Sequence, residues 1–507
     1  MQTASGRFSL RVVECLRTAF RSRPLLQSCC PMGAGGNLSQ QLSNSRLSFQ
    51  SPMNANTPWV SSSPRNRRQR LFVAGLILVL LAAPAAAQSP QRLHFEGFEN
   101  GWNGWTNDTT YNTDKRFAWV VGTPTNGPAT AHTGTNCALT AGPGTDCYLV
   151  SPPLALPLVD QYSNHVWLFY WQWQNYFHTP TNICLSDVKV RQWIPGPVGG
   201  YWGPWNVIDP GTSGVIPQYS PVWRRRGIDL TLFSGGVVQL GFGHYGAGDP
   251  GWCVDDVEIW DVPVLTNWPG VVGFESACEA WHTDEGVWDI GVPTGGGPTN
   301  VPGGLRCAGT ALDGAVPTVF ESHLWTPAFY LPAVNPVERV YLQFEQWYDY
   351  PNSFCAAIQW SQWWSSIGWS WPQIIDADLL IVSTQRQWLT VTKDITRLAG
   401  LPLPMRLGFE HSNVSSNGLG WFIDNVRINV AHFRIASLDR EGNDLRVTWS
   451  SPAGMTNVLQ CSPSLTGNFT NVSPALVATG AAESITTYLH TGAANTSPRF
   501  YRIRRMP

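Results

Sequence analysis

The side chains best suited to bind a metal ion are four carboxylates, two in each half of a duplicated sequence. Glu96 opens the first half and Asp255 lies in its last predicted strand, and Glu275 and Asp424 follow the same order in the second half. Two carboxylates and nearby backbone carbonyls form the hard oxygen site that Ca²⁺ prefers. If the first and last strands of each unit lie together, the sequence predicts a structural calcium ion there. The alternative is that these acids cap turns or pair with arginine.

Acid–base catalysis is not expected from these residues. Asp255 and Asp256 are adjacent, so their side chains should point to opposite faces of a strand and could not flank one glycosidic bond. Asp256 is replaced by Asn425 in the second half. The sequence also lacks a zinc-binding His-Glu-x-x-His motif and a Gly-x-Ser-x-Gly nucleophile turn. No catalytic residue is assigned, and the protein is expected not to be an enzyme.

A run of tryptophans in the second half is the clearest candidate for ligand binding. The candidate ligand-binding residues are Trp360, Trp364, Trp369 and Trp371. Because side chains alternate along a strand, Trp360 and Trp364 should share one face, with Trp363 on the other. Exposed indoles are flat apolar platforms that suit sugar rings, whereas the alternative is that they are ordinary core residues. The first half has a sparser set, consisting of Trp193, Trp202 and Trp205.

Charge excludes one class of partner. The formal net charge is −2 and charged residues make up 13% of the chain, so no global field indicates nucleic-acid binding. Three consecutive arginines at 224–226 have no basic counterpart in the second half. They are interpreted as a solvated strand end, with contact to an acidic glycan as the alternative.

These residues belong to a unit that occurs twice. Trp119 recurs at Trp288, and the Gly and Pro that follow it also recur, each 169 positions later. Phe95-Glu96 is matched with Phe274-Glu275. A repeat of this length is typical of tandem whole domains. Alternating runs such as 166–173, with abundant Gly and Pro, indicate strands joined by turns. The fold class predicted is therefore all-β.

The first 87 residues are predicted to be a disordered leader and signal peptide. Basic residues at 65–70, an apolar run at 71–81 and small residues ending at Ala87 follow the order of a secretory signal. The apolar run is shorter than the roughly 20 residues of a membrane span. The mature protein is thus expected to be secreted or held at the extracellular cell surface, with no stable transmembrane span after cleavage.

Export to an oxidising compartment would permit disulfides. Spacing and the repeat favour pairing Cys137 with Cys184 and Cys307 with Cys355. A further bridge between Cys147 and Cys253 would be confined to the first half.

The order of motifs carries a family resemblance. Both halves have an opening Phe-Glu, a Trp-x-x-Gly-x-Pro block, an aromatic strand (168–173 and 342–347) and a closing Gly-Trp-x-x-Asp segment (251–255 and 420–424). In this order they resemble MAM-like, or concanavalin-like, jelly-roll domains and the related sandwiches appended to secreted bacterial metalloproteases of the immune-inhibitor type. The resemblance implies two tandem jelly-roll β-sandwiches, a structural cation and a role in binding.

The predicted organisation has four parts. These are the leader at 1–87, jelly rolls at 88–262 and 270–430, and a small immunoglobulin- or fibronectin-like β-sandwich at 431–507. We expect a secreted, non-catalytic protein for cell-surface adhesion or recognition, whose partner is an extracellular glycan or a cell-surface protein. The alternatives are accessory binding modules of a secreted hydrolase or protease, and a structural envelope or matrix protein.

Overall fold

The computed structural model describes residues 89–506 apart from short internal stretches. These stretches are 109–118, 126, 141–146, 176–184, 210–218, 246–250, 277–279, 285–286, 315, 317–318, 351–353, 382–384, 414–417, 481 and 496–498. All described residues belong to one compact unit, Ala82–Pro507. The predicted leader lies outside the described residues, as do Cys184 and the side chain of Cys355.

Copy 1, the first sandwich, consists of two antiparallel sheets. Its described strands are β1 (Gln91–Glu96), β2 (Thr106–Asp108), β3 (Trp119–Gly122), β4 (Cys137–Thr140), β5 (Cys147–Val150), β6 (Leu154–Ala155), β7 (Asn164–Asn175), β8 (Leu185–Gly196), β9 (Gly199–Trp202), β10 (Asn206–Asp209), β11 (Tyr219–Asp229), β12 (Val237–Tyr245) and β13 (Trp252–Pro263). Sheet 1 has the order β11-β7-β13-β4-β3, with β1 beside β13. Sheet 2 has the order β10-β8-β12-β5-β2, with β6 beside β12 and β9 beside β8.

Copy 2 repeats this plan. Its described strands are β14 (His282–Thr283), β15 (Asp289–Gly291), β16 (Cys307–Gly309), β17 (Val319–Trp325), β18 (Arg339–Asp349), β19 (Phe354–Trp364), β20 (Gly368–Trp369), β21 (Gln373–Ile381), β22 (Gln385–Asp394), β23 (Met405–Asn413) and β24 (Gly420–Ala431). Sheet 1 of copy 2 is β15-β16-β24-β18-β22, and sheet 2 is β14-β17-β23-β19-β20 with β21 beside β19. Strands β7 to β13 therefore correspond in order to β18 to β24.

The core of each copy lies between its two sheets. Val166, Leu168 and Tyr170 alternate along β7 and face this core, as the period-two pattern of the sequence requires. Trp119 and Trp252 meet edge to face with ring centroids 5.4 Å apart, and Trp288 and Trp421 repeat the contact at 5.3 Å. Each buried aromatic side chain contributes about 2–3 kcal/mol of burial free energy.

A third, smaller sandwich follows copy 2. Its described strands are β25 (Arg434–Glu441), β26 (Asp444–Pro452), β27 (Thr456–Ser462), β28 (Thr470–Asn471), β29 (Leu476–Val477), β30 (Glu483–His490) and β31 (Phe500–Arg505). Val447, Trp449 and Leu459 form its core. Its Ala482 packs against Tyr341 and Ala431 of copy 2.

The prediction of an all-β chain with two large sandwiches and a small one is confirmed, since the described sheets fall into these three groups. The exact domain boundaries stay predictions. No helix in the described part of the chain has the length and apolarity needed to cross a membrane.

Candidate functional site

The structure corrects the register of the repeat at its first carboxylate. Phe98 and Phe274 both adopt a left-handed backbone with φ of 58°, a conformation that is rare for a bulky residue. Each is followed by a glutamate. Glu99, rather than Glu96, is therefore the counterpart of Glu275, and the matching of Phe95-Glu96 with Phe274-Glu275 is wrong by three residues.

Hydrogen bonds support this correction. Glu99 accepts the backbone N–H groups of Thr135 and Asn136 at 2.9 and 2.7 Å. Glu275 likewise accepts two successive N–H groups, at 2.8 and 2.7 Å. Glu96 instead accepts one N–H from Phe98 at 2.7 Å and an amide donor from the same turn. Glu99 rather than Glu96 is therefore equivalent to Glu275, and the metal pair of Glu96 with Asp255 stays a prediction.

Asp255 and Asp256 turn toward one loop, although alternation along β13 predicted opposite faces. Asp256 has a φ of 45°, and the pairing of β13 with β7 shifts register just after Asp255. This bulge lets Asp255 accept the N–H of His132 at 3.0 Å while Asp256 accepts the Thr133 hydroxyl at 2.7 Å. In copy 2, Asp424 accepts the N–H of a loop glycine at 2.8 Å. The acids therefore bind turns, as the alternative interpretation held.

Burial leaves these carboxylates with unusual pKa values. It raises the pKa of Asp255 to about 7, and the charge of Asp256 adds to the increase. Burial also raises the pKa of Asp424 to about 6. Among the described residues, no three His, Cys, Asp or Glu side chains converge to hold a metal ion. A calcium ion would therefore need backbone carbonyls beside Asp255 and Glu99, or beside Asp424 and Glu275, and it stays a prediction.

Calcium bound at these clusters should stabilise the folded state by mass action. We expect EDTA to lower the melting temperature of the calcium-loaded protein by several degrees, as measured by calorimetry. The double variant Glu99→Gln with Glu275→Gln should show no such difference. Superimposable melting curves of the unaltered protein with and without EDTA would remove the calcium hypothesis.

Replacing Asp256 with Asn should stabilise copy 1 above neutral pH. Because the folded pKa of Asp255 is raised, its contribution to stability is full below pH 3.8 and is lost as pH rises to about 7. Asp424, beside Asn425, has a pKa of about 6, and one pKa unit corresponds to about 1.4 kcal/mol. The gain from Asp256→Asn should therefore develop as pH rises from about 6 to 7 and stay at about 1 kcal/mol above pH 7, as measured by urea denaturation in EDTA. Asn425→Asp should show the reverse, and a pH-independent change in either variant would contradict the assignment.

The predicted tryptophan platform of copy 2 is not a single surface. Trp360 packs against the core of copy 2, and Trp369 lies at the junction with copy 1, so their assignment as free ligand-binding residues is wrong. Trp363 is also buried, with 1% exposure. Trp364 and Trp371 are 47% and 75% exposed. These last two keep the exposure that the prediction required.

The junction between the copies is formed by sheet 2 of copy 2 and sheet 1 of copy 1. The indole N–H of Trp363 donates to Gln161 at 3.2 Å, and that of Trp369 donates to Asp229 Oδ2 at 2.9 Å. The ring of His165 lies 4.5 and 5.4 Å from these two indoles. Two tryptophans of copy 2 thus fix its position on copy 1.

A half-buried arginine completes this junction. The Arg406 guanidinium lies 4.1 Å from the ring of Trp325 and 4.4 Å from that of Trp369. One of its nitrogens is 3.1 Å from His282 Nε2. Burial lowers the pKa of Arg406 to about 10, while the carboxylates of Asp284 and Asp229 oppose that change. The junction therefore encloses a charge between two indoles.

The arginines at 224–226 are not a solvated strand end, because two of them are buried. Arg224 of copy 1 reaches Asp289 and Asp313 of copy 2, at 3.2 Å each. Arg226 pairs with Asp209 within copy 1. Arg224 therefore adds an ionic link between the copies. The free-energy cost of burying its charge is offset by these carboxylates only when copy 2 is docked on copy 1.

Copy 1 contains an equivalent tryptophan pair, in which Trp193 is exposed and Trp202 is half-buried. Trp193 and Trp202 pair across β8 and β9, as Trp363 and Trp369 pair across β19 and β20. Their ring centroids are 5.4 Å apart at 73°, against 5.4 Å at 72° in copy 2. Trp193 is 37% exposed, and no described residue of another domain covers it.

Around this pair lies the surface that we call the aromatic face, defined as Tyr148, Arg191, Trp193, Trp202 and Trp205. The Arg191 guanidinium is 5.3 Å from the Trp202 ring and 4.5 Å from the Trp205 ring. Trp205 stacks on Tyr148 at 6.1 Å. A Cβ at Gly241 would be 3.1 Å from Trp205, so this glycine lets the indole lie flat on the sheet.

Sequence reasoning found the three tryptophans of this face but missed Tyr148 and Arg191. The available signal was alternation over 187–193, where Asp, Lys, Arg and Trp alternate with Val, Val and Gln. In the structure, Val188 and Val190 face the core, so the charged residues and Trp193 line the outer face. Lys189 lies 3.2 Å from Asp187 and its ammonium is 4.5 Å from the Tyr148 ring.

The described cysteines of copy 1 are free thiols, and their neighbours differ from the partners expected for the Cys147–Cys253 bridge. Cys137 and Cys253 are buried in one cluster, and the Cys253 thiol hydrogen-bonds Cys137. Cys147 faces the core instead and lies 3.4 Å from Asn107 Oδ1. The predicted Cys147–Cys253 bridge is therefore wrong. The predicted partners of Cys137 and Cys307 lie outside the residues that the structure describes.

No protein-family model matches the chain, and no curated protein matches it. One similar solved structure is the N-terminal CBM22-1–CBM22-2 tandem domain of Xyn10C from Paenibacillus barcinonensis, with 14% identity over 68% of this chain and 99% of that chain and a TM-score of 0.22. Another is the K3 cleaved adhesin domain of Lys-gingipain from Porphyromonas gingivalis, with 21% identity over 33% and 99% of the two chains and a TM-score of 0.23. Likenesses this distant indicate no ligand, and the resemblance to MAM-like domains stays a prediction.

Proposed function

We propose that this protein is an exported, non-catalytic binding protein that takes a glycan on the aromatic face of copy 1. The observation that carries the proposal is the exposure of Trp193, which is 37% exposed beside Trp202, whereas its counterpart Trp363 is 1% exposed at the junction with copy 1. The face that docks onto copy 1 in copy 2 is left uncovered in copy 1.

The chemistry of the aromatic face suits sugars. Indole rings cover the apolar C–H faces of a pyranose, and the adjacent polar groups can bond its hydroxyls. Arg191 supplies such a polar group, and the ammonium of Lys189 lies nearby on the same sheet, where it bonds the phenol of the buried Tyr148. If the rest of the protein covered both faces of sheet 2 of copy 1, indoles and polar groups on its outer face would have no role in binding.

Binding should depend on the Trp193–Trp202 pair. The double variant Trp193→Ala with Trp202→Ala is expected to lose retention on immobilised polysaccharide by about 30-fold or more, because an aromatic anchor in a binding site contributes about 2 kcal/mol or more. Affinity electrophoresis of the full chain against a polysaccharide panel measures the change.

The matched control is Trp364→Ala with Trp371→Ala, which removes two exposed indoles from copy 2. This control should keep retention and melting temperature. Equal retention by the two double variants, or no retention of any glycan by the unaltered protein, would refute the proposed function.

A further inference from the structure

Each copy contains an arginine held between two indoles, which we call the Trp–Arg–Trp stack. In copy 2, Arg406 lies 4.1 Å from the ring of Trp325 and 4.4 Å from that of Trp369. The stack of copy 1 consists of Trp202, Arg191 and Trp205. The first is buried at the junction and the second lies on the aromatic face.

The two stacks are assembled from non-equivalent positions. The pairing of sheet 2 places Arg191 of β8 opposite Gln239 of β12, and the equivalent positions in copy 2 are Ser361 and Arg406. The arginine has thus moved to the neighbouring strand. The indole nearer the sheet is Trp205 in copy 1 and Trp325 in copy 2, and these come from different segments. Each nevertheless lies over the glycine of the same Leu-Gly-Phe motif. Equivalent strand positions do not explain the stack, so a shared binding requirement is the better account.

The stack of copy 2 receives a carboxylate. Trp369 Nε1 donates to Asp229 Oδ2 at 2.9 Å, and the negative charge of Asp229 acts on Arg406. Asp229 belongs to copy 1 and is oriented by His165 at 2.7 Å. Arg406 itself contacts His282 Nε2 at 3.1 Å and feels the Asp229 charge at longer range, and a guanidinium stacked on aromatic rings keeps edge N–H groups for an acceptor.

The stack of copy 1 has no such acceptor. Arg191 donates to Gln239 at 2.9 Å, and Asp108 acts on it only at longer range. Among the described residues, no carboxylate accepts the Trp202 indole N–H, and neither Arg191 nor Arg406 has a carboxylate within ion-pair distance. Lys189, by contrast, is paired with Asp187 at 3.2 Å.

We infer that the ligand of the aromatic face is an acidic glycan whose uronic-acid carboxylate accepts the Trp202 indole N–H beside Arg191, as Asp229 accepts that of Trp369 beside Arg406. This inference rests on the proposed function. A uronic acid satisfies both parts of the site, because its ring face can stack on an indole while its planar carboxylate meets the guanidinium edge.

The test compares uronic-acid polysaccharides with their carboxyl-reduced forms, using polygalacturonate, alginate and hyaluronan with the full chain. We expect binding to fall about tenfold or more on carboxyl reduction and to weaken with added salt. Arg191→Gln should bind both forms of each polymer equally. Arg191→Lys should be intermediate, because it keeps the charge and loses the planar fork.

The control variant is Arg504→Gln, which removes one exposed positive charge from the small sandwich. It should behave as the unaltered protein. Equal binding of acidic and reduced polymers would overturn the carboxylate inference and leave the proposed function intact. Absence of binding to every polymer would overturn both. Self-association lost in Arg191→Gln, measured by sedimentation in the absence of glycan, would identify a protein carboxylate as the ligand and would also overturn the inference.

Discussion

Trp363→Ala is expected to destabilise the protein by about 3–5 kcal/mol, the usual cost of removing a buried tryptophan. Trp363 is 1% exposed, bonds Gln161 of copy 1 and contacts the ring of His165. Its loss should weaken the junction more than either core, so that unfolding in urea separates into two transitions. Fluorescence and far-ultraviolet circular dichroism, followed together, measure this separation.

The control for Trp363 is Trp371, a tryptophan of the same segment that is 75% exposed. Trp371→Ala should change the free energy of unfolding by less than about 0.5 kcal/mol. If Trp363→Ala unfolds in a single transition, with its midpoint at the same urea concentration as that of the unaltered protein, the junction does not depend on this side chain.

Oxidation is expected to join Cys137 to Cys253 and to stabilise copy 1 by about 4–5 kcal/mol, since the bond would close a loop of about 100 residues. Both thiols are buried in one cluster between β4 and β13. With glutathione disulfide as oxidant, the two thiols would lose two protons and two electrons, and one glutathione disulfide would become two glutathione thiols. The hydrogen bond to Cys137 and burial raise the pKa of Cys253, so the reaction should be slow.

Peptide mapping of the oxidised protein, with calorimetry before and after reduction, measures this bond. Copy 2 provides an internal control, because Phe422 occupies the position of Cys253 and packs in one cluster with Cys307. Cys253→Ala should abolish the gain in melting temperature. A map that links Cys137 or Cys253 to any other cysteine would show that the described contact does not guide oxidation.

The duplication and the strand content were predictable because both are local patterns. The register error at Glu96 has a physical cause: Phe-Glu occurs twice within 95–99, and only the second occurrence follows a glycine. Gly-Phe-Glu at 97–99 and 273–275 is the shared motif, and the left-handed Phe of each copy fixes the turn. Counting Phe-Glu alone gave no way to choose between the two occurrences.

The binding residues were harder to predict because their roles depend on contacts between domains. Alternation along β19 separates Trp363 from Trp360, but it does not reveal that the face of Trp363 meets copy 1. The Trp–Arg–Trp stack could not be found by aligning the copies, since Arg191 and Arg406 occupy neighbouring strands. The bulge after Asp255 likewise reversed an inference based on ideal strand geometry.

The docking of copy 2 on copy 1 affects the number of ligand-binding sites per chain. Copy 2 uses its second sheet to meet the first sheet of copy 1, so the contact is directional. A chain built by adding further units in this way would grow longer while keeping one open tryptophan pair at its leading end. Doubling the domain therefore adds reach and rigidity but no avidity, and the protein should bind its ligand with a stoichiometry of one.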